Sequence, residues 1–128
     1  MKIYTSYYAN LRNIPDTVVP VGISRVIPNW FKGPTYQVLA PNWDMVKEYK
    51  ETGDEVKFAE RYADIVASID EEYFLMYMEH FTDEEHPDVV LLSWEKTGDF
   101  SHRIFLPIWG FYNGIEIEEW VNEKTGDQ

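Results

Sequence analysis

The chain has 128 residues, of which 45% are hydrophobic and 16% aromatic, so it is suited to one compact domain rather than to disorder. Its 23 acidic and 11 basic side chains give a formal net charge of -12, which opposes non-specific binding to nucleic-acid phosphates and to anionic membranes. There are no cysteines, which excludes disulfides, thiolate metal sites and a cysteine nucleophile. No apolar run reaches transmembrane length and no signal-peptide pattern opens the chain, so we expect a cytoplasmic protein.

The first third of the chain predicts two strands and a long loop. Residues 2–6, KIYTS, form a short strand that ends in polar side chains. Residues 17–24, TVVPVGIS, are rich in β-branched residues, and Pro20 places this strand at a sheet edge or at a bulge because proline donates no ladder hydrogen bond. Residues 26–42 contain three prolines and a glycine, which predicts a long ordered loop.

The middle of the chain predicts three helices. Residues 43–50 read as a short helix, and a second begins near Glu55. Ser68 and Glu71 match a capping box, which predicts a third helix from about Asp70. The apolar positions with helical spacing in the second helix are Phe58, Tyr62, Ile65, Val66 and Ile69, and those in the third are Phe74, Tyr77, Met78 and Phe81.

The last third predicts a buried strand, a helix and a final strand. Residues 88–94, DVVLLSW, have the continuous apolar run of a strand covered on both faces. Asp99 is a candidate cap for a helix over residues 101–112, and Pro107 predicts a kink or an early break in it. Residues 114–120 alternate as a strand does. Strands separated by helices predict a single α/β domain over residues 1–128, with a small, mostly parallel sheet of about four strands and helices on both faces.

Polar and charged residues follow the predicted strands. In parallel sheets, ligands bind at the carboxyl ends of the strands, so these residues are expected to meet at one edge. The amides at the start of a helix attract anions, and basic side chains strengthen that attraction. The candidate site residues are Ser6, Tyr7, Ser24, Arg25, Glu95, Lys96, Ser101, His102 and Arg103.

At these residues the chain resembles the domain-of-unknown-function 488 family. The stretch LLSWEKTGDFSHR, residues 91–103, follows the layout of the family's strand, lysine-containing turn and Cys-His-Arg helix start. IYTSYYAN, VGISRVIPNWFKG and YQVLAP are similar to other parts of its shorter members. The resemblance implies a small α/β fold without an established activity.

The chain departs from this pattern at three positions. Ser93 and Ser101 stand where the family usually has cysteines, and Tyr7 stands where it has a glycine. If those cysteines bind metal or do thiol chemistry in relatives, this chain does not share that chemistry, because serine is a far weaker nucleophile without a base to activate it. The resemblance then implies a relative that only binds its ligand.

Two interpretations of residues 95–103 stay open. In the first, Arg25 and Arg103 hold an anion, Glu95 orients His102 or Arg103, and His102 carries a proton if a reaction occurs. In the second, Glu95 and Arg103 form a partly buried pair that only holds the turn. A serine hydrolase built on Ser101 and His102 is disfavoured, because adjacent helical residues project about 100° apart.

Other clusters favour structural interpretations. His80 and His86 lie in an acidic loop whose spacing matches no strong metal motif, so neither a metal nor a cofactor is predicted. The aromatic residues of the long loop either stack on a ligand ring or plug the loop onto the sheet, and we favour the plug. These residues are Trp30, Phe31, Tyr36 and Trp43.

Two functions compete. The first is the binding of an anionic small molecule, nucleotide or nucleic-acid fragment at the strand ends, with catalysis assisted by His102 left open. The second is an acidic interaction or inhibitor protein whose degenerate site no longer binds a ligand and whose charge steers it to a basic protein partner.

Overall fold

Four short strands pair in parallel at the centre of the fold. The computed structural model describes residues 1–122, and its strands are β1 (Ile3–Tyr7), β2 (Val18–Gly22), β3 (Asp88–Ser93) and β4 (Ile117–Glu119). Their spatial order is β2-β3-β1-β4, and each neighbouring pair is parallel. The parallel α/β sheet predicted from the sequence is confirmed.

Helices fill the connections between the strands. The α-helices are α1 (Trp43–Thr52), α2 (Glu55–Ala67), α3 (Glu71–Phe81) and α4 (Leu106–Tyr112). Short 3-10 helices cover Tyr8–Asn13, Gln37–Leu39 and His102–Phe105. Within residues 1–122, no helix has the length and apolar character needed to cross a membrane.

The alternation of side chains along β3 builds two hydrophobic cores. Val89 and Leu91 belong to the larger core, which also contains the buried faces of the four α-helices. Val90 and Leu92 belong to a smaller core with Tyr8, at the start of the first 3-10 helix. Because successive strand residues point to opposite faces of the sheet, the two cores lie on opposite faces. The α-helices cover the face with the larger core, and the first 3-10 helix with its flanking loop covers the other face.

Strand β2 lies at the edge of the sheet, as Pro20 predicts. Its ladder partner is β3, and on the outer side the long loop attaches to its carboxyl end. The Gly22 amide donates to the Pro34 carbonyl at 2.9 Å, and the Tyr36 amide donates to the Gly22 carbonyl at 2.8 Å. These two bonds hold the loop beside the strand end from which the candidate site begins.

The start of α3 differs in detail from the prediction. The carboxylate of Asp70 accepts from the amides of Glu72 and Tyr73 at 2.9 Å and 3.2 Å, so Asp70 is the N-cap. Ser68 instead ends α2 and donates its hydroxyl proton to the Ile65 carbonyl. The helix begins where it was expected, but the capping box was wrong because Asp70, two residues after Ser68, directly precedes the first turn and caps it.

The segment after β3 is two helices rather than one. A 3-10 helix covers His102–Phe105 and α4 starts at Leu106, which puts Pro107 in the first turn of α4. The expected break is therefore confirmed. The Asp99 cap was wrong, since Ser101 precedes the first helical residue and makes no capping hydrogen bond with its side chain.

Gly110 lets α4 approach the segment that leads into β4. A Cβ at this position would lie far inside van der Waals contact of the Ile115 carbonyl oxygen. We expect Gly110→Ala to reduce the free energy of unfolding by about 1–3 kcal/mol, as overpacking does. Urea denaturation measures this, with Tyr112→Ala on the same helix as control. Tyr112 is 79% exposed, so its variant should change stability by about 0.5 kcal/mol at most. Equal midpoints for both variants would contradict the close approach.

Candidate functional site

A cavity of about 350 Å³ opens at the carboxyl ends of β2 and β3. It lies where parallel sheets bind ligands, and its volume is at the lower end of the roughly 300–1,000 Å³ of small-molecule sites. The segments after both strands, the start of the third 3-10 helix, and α1 with the residues before it form its wall. The lining residues are Ser24, Arg25, Val26, Pro41, Trp43, Val46, Lys50, Trp94, Glu95 and His102.

Arg25 brings a positive charge to the cavity wall. Its Nε donates to the Pro41 carbonyl at 3.1 Å and its Nη2 donates to the Ala40 carbonyl at 3.3 Å. Among residues 1–122 it has no acidic partner within 4.0 Å. Carbonyl contacts fix the guanidinium in place but leave its net charge, so this charge is available to an anion.

The hydroxyl of Ser24 is hydrogen-bonded within the protein and has no proton left to donate to a ligand. Ser24 donates its single proton to the Val26 carbonyl at 2.7 Å, so the hydroxyl of Tyr8 must donate to Ser24, at 2.6 Å. Trp94 Nε1 donates to the same Val26 carbonyl at 2.7 Å. This chain of bonds ties the segment after β2 to that after β3, and burial raises the pKa of Tyr8, which keeps its phenol protonated.

His102 is buried and neutral at pH 7. Its Nε2 lies 2.9 Å from the Ile23 carbonyl oxygen, which can only accept, so Nε2 carries the proton and Nδ1 keeps its lone pair. Burial lowers the pKa of His102 to about 4, against a weaker raising effect of the Ile23 bond, and the nearby charges of Arg103 and Arg25 lower it further. Of the two side chains that Glu95 was predicted to orient, this ring is held by the Ile23 carbonyl instead, whereas Arg103 Nη1 donates to the backbone carbonyl of Glu95.

Glu95 places a carboxylate in the same wall. Its Oε1 is buried, and no hydrogen-bond donor among the described residues reaches it. The carboxylate also lacks a cationic partner within 4.0 Å in that part of the chain. Native structures rarely leave such an oxygen unsatisfied, so Glu95 is an unusual member of the cavity wall.

Arg103 lies behind the wall in a closed polar network. Its side chain is 1% exposed and does not line the cavity. Nε and Nη2 donate to the two carboxylate oxygens of Glu119 at 3.0 Å and 2.7 Å, and Nη1 donates to Ser93 Oγ at 2.7 Å. The expectation that Arg103 is an uncompensated anion ligand was therefore wrong. The alternative structural role is correct, but the partner is Glu119 and not the Glu95 carboxylate.

Glu119 completes this network as an ionised carboxylate. Burial alone would raise its pKa, but hydrogen bonds from Arg103, Thr5 and Thr97 outweigh burial and leave the pKa below its ordinary value. Thr5 lies in β1 and donates at 2.6 Å, while Thr97 lies in the turn after β3. The network thus joins β1, β4 and that turn at the strand ends.

Four further candidate residues lie outside the cavity lining. Ser6 is buried and accepts from Asn10 Nδ2 at 3.0 Å. The Tyr7 ring lies under the guanidinium of Arg103, 5.8 Å from its Cζ. Lys96 is exposed in the turn, and Ser101 is buried with a hydroxyl that has no partner within residues 1–122. Of the predicted residues, the structure brings Ser24, Arg25, Glu95 and His102 together in the cavity.

Helix α1 contributes residues to the cavity wall that are absent from the candidate site residues predicted from the sequence. Trp43, Val46 and Lys50 all line the cavity, and Trp43 is 59% exposed. Their spacing of three and four residues puts them on one helical face, which is the sequence signal that could have found them. The plug interpretation holds for Phe31 and Tyr36, which pack in the two cores, but not for Trp43.

The acidic loop around His86 forms a local turn. The Asp83 carboxylate accepts from the amides of Glu85 and His86 and lies 2.9 Å from His86 Nδ1. Across residues 1–122, no group of three or more histidine, aspartate or glutamate side chains is arranged to hold a metal ion.

No family model, curated protein or solved structure matches this chain. The resemblance to the domain-of-unknown-function 488 family therefore stays a prediction that rests on the quoted motifs.

Removing Arg103 should separate its structural role from that of Arg25. Arg103→Ala leaves the partly buried Glu119 carboxylate without its cation, and we expect a loss of roughly 3–5 kcal/mol in the free energy of unfolding. Arg25→Ala breaks only two carbonyl contacts at a half-buried position and should cost about 1 kcal/mol at most. Thermal and urea denaturation of both variants measure the difference. Similar losses for the two would contradict the assignment.

Acid should destabilise the fold through His102. Its folded pKa of about 4 lies below its ordinary value of 6.5, so the unfolded chain binds the proton first as the pH falls. Stability is complete above pH 6.5 and declines toward pH 4, with about 2 kcal/mol lost between pH 6.5 and pH 5. Urea denaturation across this range measures the loss. His102→Gln should show a smaller slope there, and an unchanged slope would contradict the buried neutral ring.

Proposed function

We propose that this protein binds a small anionic molecule, a carboxylate, a phosphate compound or a mononucleotide, in the cavity at the ends of β2 and β3. The observation that carries the proposal is Arg25, whose guanidinium is held at the wall by two carbonyls without an acidic partner within residues 1–122. Lys50 adds a second cation to the same wall. An anion that contacts both replaces solvent with charge-assisted hydrogen bonds.

The shape and lining of the cavity favour a ligand with an apolar or ring-shaped part. Trp43 and Trp94 line it and are 59% and 49% exposed, so both have surface to bury against a ligand. Stacking on an aromatic side chain contributes about 1–3 kcal/mol per base in nucleic-acid complexes. A volume of about 350 Å³ suits a small molecule or one nucleotide better than a longer nucleic-acid fragment.

Binding is better supported than catalysis. His102 is the titratable ring in the wall, and with its pKa lowered to about 4 by burial it is a weak base and is not a proton donor at neutral pH. Because Nε2 bonds to Ile23, only Nδ1 is left to accept a hydrogen bond from a ligand. In the proposed function His102 therefore recognises a donor on the ligand.

The competing hypothesis of a degenerate site predicts cations that are neutralised internally. The ion pairs among residues 1–122 are Lys57–Glu48, Arg61–Glu48, His86–Asp83 and Arg103–Glu119. Neither Arg25 nor Lys50 takes part in one. This favours ligand binding over an interaction protein that only carries an acidic surface to a basic partner.

Titration with inorganic phosphate, adenosine 5′-monophosphate and 3-phenylpropionate tests the proposal, with tryptophan fluorescence and calorimetry as readouts. We expect saturable binding of at least one of them. Arg25→Ala should weaken it roughly 10- to 100-fold, as expected for loss of a charge-assisted hydrogen bond.

The matched control is Arg12→Ala, which removes the same charge from an exposed position in the first 3-10 helix. Its affinity should equal that of the unmodified protein. Equal weakening in both variants would mean that net charge alone attracts the anion, and no saturable binding of any of the three probes would refute the proposed function.

A further inference from the structure

The cavity carries charges of both signs that do not neutralise one another. Arg25 and Lys50 are cations in its wall and Glu95 is an anion in the same wall. None of the three forms an ion pair within 4.0 Å in the described part of the chain. Opposite charges that line one small cavity without pairing create a field across it, and such a field complements a dipolar ligand better than a simple anion.

The Glu95 carboxylate needs a donor that residues 1–122 do not provide. Its Oε1 is buried without a hydrogen-bond partner, which is costly for a charged group. A simple anion in the cavity would be repelled by the negative charge of this carboxylate. A ligand that also carries a positive charge turns this repulsion into attraction.

The other groups beside Glu95 are suited to an ammonium group. Trp43 and Trp94 expose aromatic surface in the wall, and the faces of tryptophan rings attract cations. His102 is neutral and has its Nδ1 lone pair available, because its proton is on Nε2. A carboxylate, indole rings and a neutral imidazole nitrogen are all groups that accept or attract an ammonium.

We propose that the ligand is a small zwitterion whose ammonium group binds Glu95 and whose anionic group binds Arg25 and Lys50. This rests on the proposed function and names the class of ligand for the same cavity. The anionic group is a carboxylate, as in an amino acid, or a phosphate, as in a phosphorylated amine. In either form, a compound of amino-acid size agrees with a cavity of about 350 Å³.

A matched set of three compounds tests the need for both charges. L-phenylalanine carries both, 3-phenylpropionate lacks the ammonium group and phenethylamine lacks the carboxylate. A second pair, O-phosphoethanolamine and ethyl phosphate, asks the same question for phosphate. Calorimetry with the full chain should give at least a 10-fold tighter dissociation constant for the zwitterion than for its partners in one of the two sets, and the set that responds identifies the anionic group.

Glu95→Gln then tests the assigned contact. It should reduce the preference for the zwitterion over the matching anion to about twofold or less, while the anion itself binds at least as tightly as before because the repulsive charge is gone. Glu51→Gln removes the same charge from an exposed position on α1 and should leave the preference unchanged. Arg25→Ala should weaken zwitterion and anion alike.

The two proposals fail in different ways. If 3-phenylpropionate or ethyl phosphate binds as tightly as its zwitterion, or if Glu95→Gln keeps the preference, the zwitterion is refuted while anion binding stands. If phenethylamine binds as tightly as L-phenylalanine and Arg25→Ala has no effect, the anionic part of both proposals is wrong. If none of the five compounds binds saturably, the zwitterion is refuted, and anion binding is refuted with it when inorganic phosphate and adenosine 5′-monophosphate also fail to bind.

Discussion

The bidentate pair between Arg103 and Glu119 is the interaction on which the strand-end edge depends. A guanidinium that is 1% exposed is stable only with its charge and donors matched, and the two carboxylate oxygens and Ser93 Oγ provide that match. Because Glu119 also accepts from Thr5, the pair joins β4 to β1. His102 lies next to Arg103 in the same 3-10 turn, so this anchor also fixes the ring that lines the cavity.

Along this edge of the sheet, the charge of Arg103 is paired with a carboxylate, whereas the charge of Arg25 has no such partner among the described residues. Around Arg103 the protein provides a carboxylate, two further acceptors at Ser93 Oγ and the Glu95 carbonyl, and full burial, and no unmatched charge is left for a ligand. Around Arg25 it provides carbonyl oxygens, an open cavity and a separate carboxylate at Glu95. Removing charge from water without a partner destabilises a fold, so unmatched charges in a wall are expected where a ligand matches them.

The sequence predicts the scaffold well because its signals are local. Apolar runs define the strands, Pro20 identifies the edge strand, and the rule for parallel sheets places the polar strand ends together. It does not predict which charges pair, since that depends on the register of β4. Arg103 and Glu119 are sixteen residues apart and meet only after β4 has paired with β1. Proximity in the sequence suggested Glu95 instead, which lines the cavity and forms no ion pair among the described residues.

The two serines that stand where the resemblance implies cysteines are both buried and both lie outside the cavity lining. Ser93 is fully buried and accepts from Arg103, and Ser101 is buried at the start of the 3-10 turn. Neither lines the cavity, so a nucleophile at these positions would have no access to a ligand bound there. The motif stretch, residues 91–103, contains the turn that Arg103 anchors, and it contributes Glu95 and His102 to the cavity lining. The rest of the cavity lining comes from the segment after β2, which contributes Arg25, and from α1 and the residue Pro41 before it, where Trp43 and Lys50 lie outside the motif stretch.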